Sequence, residues 1–450
     1  REQCLRMLNL MSISGIVEAL SLSRRLRSSL FALIALLALV DVDFYIGLPL
    51  LNEQVYAILL GLALGWTMAG VGLIFAIMYP TLMGDPYISM WLTVPFFCLL
   101  IYQTYKHCGT AFAVITLTAL LYAASLDLNI LYFLIVDNTA MFGMAMSIMT
   151  GVVFGFIMLG QIITQTNISD KIINTVLKYV KSPARVAICS SAVFGSISGS
   201  AVSNVMSTGQ ITIPMMIRNG YSKTKAAAYE AVASTGGQLL PPIMGAAAFL
   251  MAEMLMISYW DVVKVAVIPA IAFYVILLIT APKGIHDQKP QKTKLRWPSL
   301  SNLLFKAGDV TGPMVILAAS VGTVIGCLDQ TGLSFTMTYK IALFAQGQTF
   351  LILAIVAAIC IILGMGMPTS SAYLLVAVMC APVLVDAGFT PIYAHLYVLY
   401  FAVLSMITPP VALSSMTAAK ISGADPIKTS FYSMYLSIPL ITAPFIFVFF

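Results

Sequence analysis

Two short stretches hold the residues best suited to chemistry. One is Gly195-Ser196-Ile197-Ser198-Gly199-Ser200-Ala201-Val202-Ser203-Asn204, the other Gly364-Met365-Gly366-Met367-Pro368-Thr369-Ser370-Ser371. Both combine small residues with hydroxyls inside strongly apolar surroundings. Small residues let two backbones close on a ligand, and hydroxyls with freed carbonyls supply the oxygen shell that a hard cation prefers. A helix restarting after such a tip also presents partial positive charge to an anion. A Gly/Ser run alone reads equally well as a close helix–helix contact. Two at matching positions favour a site.

The match extends beyond the tips. Ser203/Ser371, Pro214/Pro382, Gly220/Gly388, Ala226/Ala394, Tyr229/Tyr397, Pro241/Pro409 and Pro242/Pro410 are identical pairs at a constant offset, without a gap. Shared prolines and glycines carry the most weight, because both residues disfavour helix and rarely coincide by accident. Paired apolar segments broken by Gly and Pro mark a secondary transporter whose site lies between two repeats at mid-membrane.

Composition sets the medium. Of the 450 residues, 60% are hydrophobic and 9% charged, and the mean hydropathy is +0.98. A soluble domain carries about 25% charged residues, so this chain belongs in lipid. Its net charge of +6 is concentrated in short loops, which speaks for membrane orientation and against nucleic-acid binding. The seven cysteines lie singly, so neither a disulfide frame nor a metal site is expected. The sequence opens on arginine, and its natural start with any targeting signal is expected to lie outside it.

Apolar runs of roughly spanning length fall at residues 30–51, 56–79, 88–105, 110–125 and 140–163, followed by an amphipathic interfacial piece at 170–180. Residues 186–216 are too long for one pass and carry the first Gly/Ser tip, so they are expected to form a re-entrant hairpin. Residues 226–255 read as a helix broken at Thr235-Gly236-Gly237-Gln238-Leu239-Leu240-Pro241-Pro242, and 262–281 as a span. After a polar linker to about Lys306 the order repeats: a span at 313–328, a surface piece at 335–344, a hairpin at 350–385, a helix at 392–416 broken at Thr408-Pro409-Pro410, and a span at 431–450. The expected fold is an all-α polytopic membrane protein with two re-entrant hairpins and two broken helices.

Charge gives direction. Lys181, Arg185, Arg218, Lys223 and Lys225 flank the first hairpin, whereas Gln346, Gln348 and Asp386 flank the second. By the positive-inside rule the first opens to the cytoplasm and the second outward, so the repeats are inverted. The basic linker and the loop with Lys420 and Lys428 then fall inside. Counting backwards, however, puts Arg24, Arg25 and Arg27 outside. Either run 30–51, interrupted by Asp41 and Asp43, does not span, or a helix before Lys106 is missing; the missing helix is the reading taken.

Few charges are available to meet an anion. Arg185 and Arg218 lie at the ends of the first hairpin, and the second repeat has no arginine. Recognition must rest on helix dipoles, hydroxyls, a bound cation or a lysine such as Lys420, which reads more simply as a snorkelling residue. Glu230, about 7.5 Å along a helix from Thr235, could reach the cavity or carry a coupling proton; an interfacial ion pair is an equal reading. Glu253 suits the ion pair better, His395 lies near the outer face, and Tyr229 and Tyr397 read as packing residues.

At these motifs the chain resembles the membrane subunit of tripartite ATP-independent periplasmic (TRAP) transporters, in the fused form paired with TAXI-type binding proteins. The residues that carry the resemblance are Phe194 to Val202, Glu230 to Gln238 with Pro241-Pro242, residues 245–249, Met251-Ala252-Glu253, Leu363 to Gly366, Pro368-Thr369, residues 407–412 and Gly423-Ala424-Asp425-Pro426. It covers the chain from about Thr110 to the end; the front third is only loosely similar to the fused small subunit. The domains implied are 1–139 (small-subunit-like and scaffold helices), 140–281 (first transport repeat), 282–312 (linker) and 313–450 (second, inverted repeat).

The resemblance implies an ion-transporter-like elevator in the bacterial inner membrane, driven by a cation gradient, usually sodium. A soluble extracytoplasmic binding protein would deliver a small carboxylate, with no cofactor. Ser198, Ser200, Asn204 and the Thr235-Gly236-Gly237 turn would surround one cation; Gly366, Thr369, Ser370 and Thr408 would surround a second. The substrate would lie between the tips, against Ser200, Ser203, Gln238, Thr369 and Ser371. The linker stands where the family carries further scaffold helices. A binding-protein-independent symporter shares the paired hairpins, and a channel is a further alternative. No HExxH or serine–histidine constellation points to an enzyme.

Overall fold

The computed structural model describes residues 24–35, 86–108, 110–137, 154–166, 168–282, 297–333 and 348–449, with scattered positions between them. The apolar run at 56–79, the greater part of run 30–51, the linker from 283 to 296 and much of the piece at 335–344 lie outside the described residues.

Among the described residues every regular element is helical. The front holds α1 (24–35), α2 (Pro86–Cys108), α3 (Thr110–Leu126), α4 (Asn129–Val136) and α5 (Phe154–Gln165). In the run expected to span from 140 the chain turns at Ala140–Gly143 and is helical in α5; most of residues 144–153 lies outside the described residues. The interfacial piece is α6 (Ile168–Tyr179), whose Ile173 and Leu177 are buried while its lysines stay out.

The first hairpin is α7 (Pro183–Ser198) and α8 (Ala201–Arg218). Pro183 opens α7 where its missing N–H costs nothing. Gly199 closes it at φ 64°, a conformation that L side chains resist. Ser222 then caps α9 (Lys223–Gly236) by accepting from the Lys225 N–H. A short 3-10 turn, Gly237–Leu239, leads through Pro241-Pro242 to α10 (Ala246–Met254). Here the ladder must stop, since two prolines in succession remove two donors. The half closes with α11 (Tyr259–Thr280), and α12 (Leu300–Thr331) follows; these are the two described helices long and apolar enough to cross a membrane alone.

The second half repeats the order: α13 (Thr349–Gly364), α14 (Thr369–Asp386), α15 (Pro391–Leu404) and, after Pro409-Pro410, α16 (Leu413–Ser422). The bounds of α8 and α9 recur in α14 and α15 at an offset of 168 residues. The expected final span is instead two helices, α17 (Pro426–Leu436) and α18 (Ile438–Phe447), bent by 43°. Pro439 in the first turn of α18 supplies no N–H to continue α17.

The halves exchange partners. Helices α7, α8 and α9 pack together, and α8 and α9 also pack on α16; α14 and α15 pack together and on α10. The part after each break therefore crosses to the other half. The open ends of the hairpins lie at different levels. Ser182 and Tyr221, which bracket α7 and α8, both bond the Pro282 carbonyl, and Lys225 stands over the Tyr432 ring on α17. Phe350 and Phe389, which bracket α13 and α14, contact Phe445 and Phe449 at the far end of α18.

Helix α12 fixes the front. Gln165 at the end of α5 accepts from Asn302, and Arg24 pairs with Asp309. Arg24, Lys106 and the start of α12 therefore share one end, the end reached from the basic linker. Arg24 thus shares the end of α12 that follows the basic linker, whereas the backward count sets the two opposite. The apolar runs between α1 and α2, on which the backward count depends, lie largely outside the described residues.

Candidate substrate and ion site

Both helix tips border one cavity of about 570 Å³. Its wall includes Ser198, Ser200 and Ser203 from the first tip, Gln238 from the first break, and Thr369 and Ser370 from the second tip. Val310, Pro313 and Met314 of α12 close one side, and Gln161 and Thr417 add polar groups. The described lining contains no charged side chain. Ser371 heads the same helix as Thr369, but its side chain lies outside the described residues.

Two buried polar atoms on this wall lack partners. Gln238 is 3% exposed, and neither its Nε2 nor the Ser198 Oγ makes a hydrogen bond. Such orphans are rare because each carries a desolvation cost of about 1–3 kcal/mol. The tips also differ in capping. Ser200 accepts from the Ser203 N–H at the head of α8, whereas Pro368 gives α14 no side-chain cap. The first-turn N–H groups of α14, at Thr369 and Ser370, therefore point partial positive charge without a local acceptor.

Behind the first tip the backbone is compressed. A Cβ on Gly237 would fall 2.7 Å from the Gly195 Cα, and one on Gly195 would fall 2.7 Å from Asn204 Nδ2. Only glycine admits this contact between hairpin and break. Asn204, fully buried, donates to the Ser191 carbonyl at 2.8 Å. Thr235, also fully buried, donates to the Ala231 carbonyl, which leaves its oxygen lone pairs available. Gly236 lies against the Phe273 ring. Thus Asn204, Thr235, Gly236 and Gly237 sit behind the cavity wall, while Ser198 and Ser200 sit on it.

The second tip has a similar rear. Gly366 donates to the Val411 carbonyl, Gly364 packs on Ser405, and Thr408 donates to the Leu404 carbonyl. Ser414 Oγ is buried without a partner. Sequence reasoning missed Ser405 and Ser414, although both lie within six residues of Thr408 and flank the same Pro-Pro break.

Glu230 is fully buried and absent from the cavity lining. Four hydroxyls donate to its carboxylate: Ser191 (2.7 Å), Thr208 (2.5 Å) and Ser234 (3.2 Å) to Oε1, and Thr212 (2.5 Å) to Oε2. Thr208 Oγ1 also lies 3.0 Å from Asn204 Oδ1. The cluster joins α7, α8 and α9 and reaches the Asn204 contact. Its signal was available in the sequence, since Asn204, Thr208 and Thr212 recur every fourth residue and so share a helix face.

The helices and this enclosed space define an integral, all-helical membrane protein built around an internal cavity. The family model of the tripartite ATP-independent periplasmic transporter, DctM component, matches residues 54–289 and 288–450. The chain belongs to that family. It is accordingly the permease of a secondary transporter and not an enzyme, and its family works in a lipid bilayer with an extracytoplasmic substrate-binding protein. The match begins ahead of Thr110, from which the resemblance was expected to run, and its two pieces meet inside the polar linker. No curated protein matches the chain.

Proposed function

We propose that this permease, of the fused TAXI-type branch, imports a small organic carboxylate across the bacterial inner membrane, coupled to a sodium gradient. The observation that carries the reading is the shared cavity, where both tips meet beside the partnerless Gln238 Nε2. With no cationic side chain on the described wall, the carboxylate is held by that amide donor, by the hydroxyls of Ser200, Ser203 and Thr369, and by the start of α14.

One sodium ion binds behind the first tip among Ser198, Ser200, Asn204, Thr235, Gly236 and Gly237. A second binds behind the other tip among Gly366, Thr369, Ser370 and Thr408. Hydroxyl and carbonyl oxygens of this kind suit a hard cation. Each ion brings positive charge next to the anion, so substrate and ion favour each other's binding. Glu230 serves as an internal anchor for the hydroxyls around Asn204, set back from the cavity lining.

The exchanged packing of the halves, and hairpin mouths at opposite levels, support inverted repeats with re-entrant hairpins. Helices α7 to α10 and α13 to α16 then form a transport unit that slides as an elevator against α12 and the front helices. Reconstitution with the cognate binding protein tests this, measuring uptake of labelled mono- and dicarboxylates under an imposed sodium or pH gradient. Sodium-driven, binding-protein-dependent uptake is expected. Uptake without the soluble partner, or driven by pH alone, contradicts the proposal.

A further inference from the structure

The front arginines have no part in the transport site, yet the fold gathers them. A second cavity of about 320 Å³ is bordered by Arg24, Arg27, Lys106, His107 and Asp309. Helix α1, the end of α2 and the first third of α12 bring these groups together. The approach is close because a Cβ on Gly308 of α12 would collide with the Ser28 carbonyl of α1. Arg24 donates through Nε at 2.9 Å and Nη2 at 2.5 Å to Asp309 Oδ1.

Three permanent cations thus face one carboxylate. Among the described residues no ion pair satisfies Arg27 or Lys106, and like charges this close repel unless an anion sits among them. The level is also informative. Asp309 lies near the start of α12, the end that follows the basic linker and that the positive-inside rule assigns to the cytoplasm. Beside the cavity α1 exposes Leu26, Leu30 and Leu33, and α2 exposes Tyr102 and Tyr105, a surface suited to acyl chains and the headgroup boundary.

We propose that this cavity binds the phosphate of an anionic phospholipid from the inner leaflet, such as phosphatidylglycerol. Phosphate matches the guanidinium of Arg27 and the ammonium of Lys106, and basic pockets between helices on the cytoplasmic side take such headgroups. The acyl chains lie along the leucines of α1. Pro313 borders this cavity and the transport cavity alike. A bound lipid therefore braces the wall of α12 against which the transport unit moves.

Native mass spectrometry of the full chain, exchanged into phosphatidylglycerol or phosphatidylcholine, tests the site. The wild type is expected to retain one phosphatidylglycerol, and Arg27→Gln with Lys106→Gln to lower that retention roughly 10-fold or more. Asp309→Asn, which releases Arg24, should raise it; this variant keeps the test valid if the double one does not fold. Inorganic phosphate at millimolar concentration should not displace the lipid. Equal retention by all variants, equal retention of phosphatidylcholine, or displacement by inorganic phosphate would overturn the assignment.

Discussion

Thr208 Oγ1 lies 2.5 Å from the Glu230 carboxylate, a bond that ties the first hairpin to the helix entering the first break. The same oxygen is 3.0 Å from Asn204 Oδ1. Thr208 has one hydroxyl proton, and the carboxylate is the stronger acceptor. With that proton drawn to Glu230, Asn204 Oδ1 keeps its lone pairs for a cation. Burying a carboxylate costs several kcal/mol, and hydrogen bonds to a charged group return about 1.5–3 kcal/mol each. Four of them make the arrangement tenable.

Thr212→Val and Thr208→Val should each destabilise the protein by about 1.5–3 kcal/mol, because each removes a donor to a buried carboxylate. Only Thr208 touches Asn204. Thr208→Val should therefore also raise the sodium concentration for half-maximal uptake, while Thr212→Val should not. Thermal unfolding in detergent and sodium titration of uptake separate the two effects; an equal sodium response in both variants contradicts the relay.

Gly237→Ala should disturb the contact with Gly195, where backbone and not a flexible side chain is in the way. Uptake is expected to fall about 10-fold or more, the scale of a loss above 1.4 kcal/mol, with insertion into the membrane retained. Gly312→Ala in α12 is a control for loss of glycine as such, since its backbone is helical and nothing lies near a Cβ there. Similar defects in both would show that the tight contact is irrelevant.

Gln238→Leu removes the partnerless amide from the cavity wall. The substrate concentration for half-maximal uptake should rise about 10-fold, the equivalent of roughly 1.4 kcal/mol, with sodium dependence little changed. Gln238→Glu, which sets a like charge beside the carboxylate, should do more harm. An unaltered substrate dependence in Gln238→Leu places the anion elsewhere.

Thr235→Val and Thr369→Val remove one oxygen from each proposed ion shell. Both variants should fold and should need more sodium for the same uptake. Normal transport by both at limiting sodium would rule out the ion sites as assigned.

Much of this was legible beforehand because proline and glycine act locally. Pro241-Pro242 and Pro409-Pro410 interrupt helices wherever they occur, so the breaks, the tips and their shared offset could be read directly. The front was less legible. A positive-inside count assumes that every apolar run crosses, and it sets Arg24 opposite the start of α12, where the Arg24–Asp309 pair holds them together. The two-helix ending was hidden because run 431–450 is apolar throughout, and only Pro439 signals the bend. Glu230 was seen as a candidate acid, but its four hydroxyl partners come from three helices. Linear distance from Thr235 could not show that it is enclosed by them and absent from the cavity lining.

The central claim is that the two tips enclose one ion-coupled site, and thiol accessibility tests it most directly. In a background without native cysteines, Ser200→Cys and Thr369→Cys would each be labelled by a small membrane-permeant maleimide in proteoliposomes, with sodium or with choline. Sodium alone is expected to slow the labelling of both positions, since the ions order both tips, and choline to slow neither. Slowing at one position only, or at neither, would contradict a shared site.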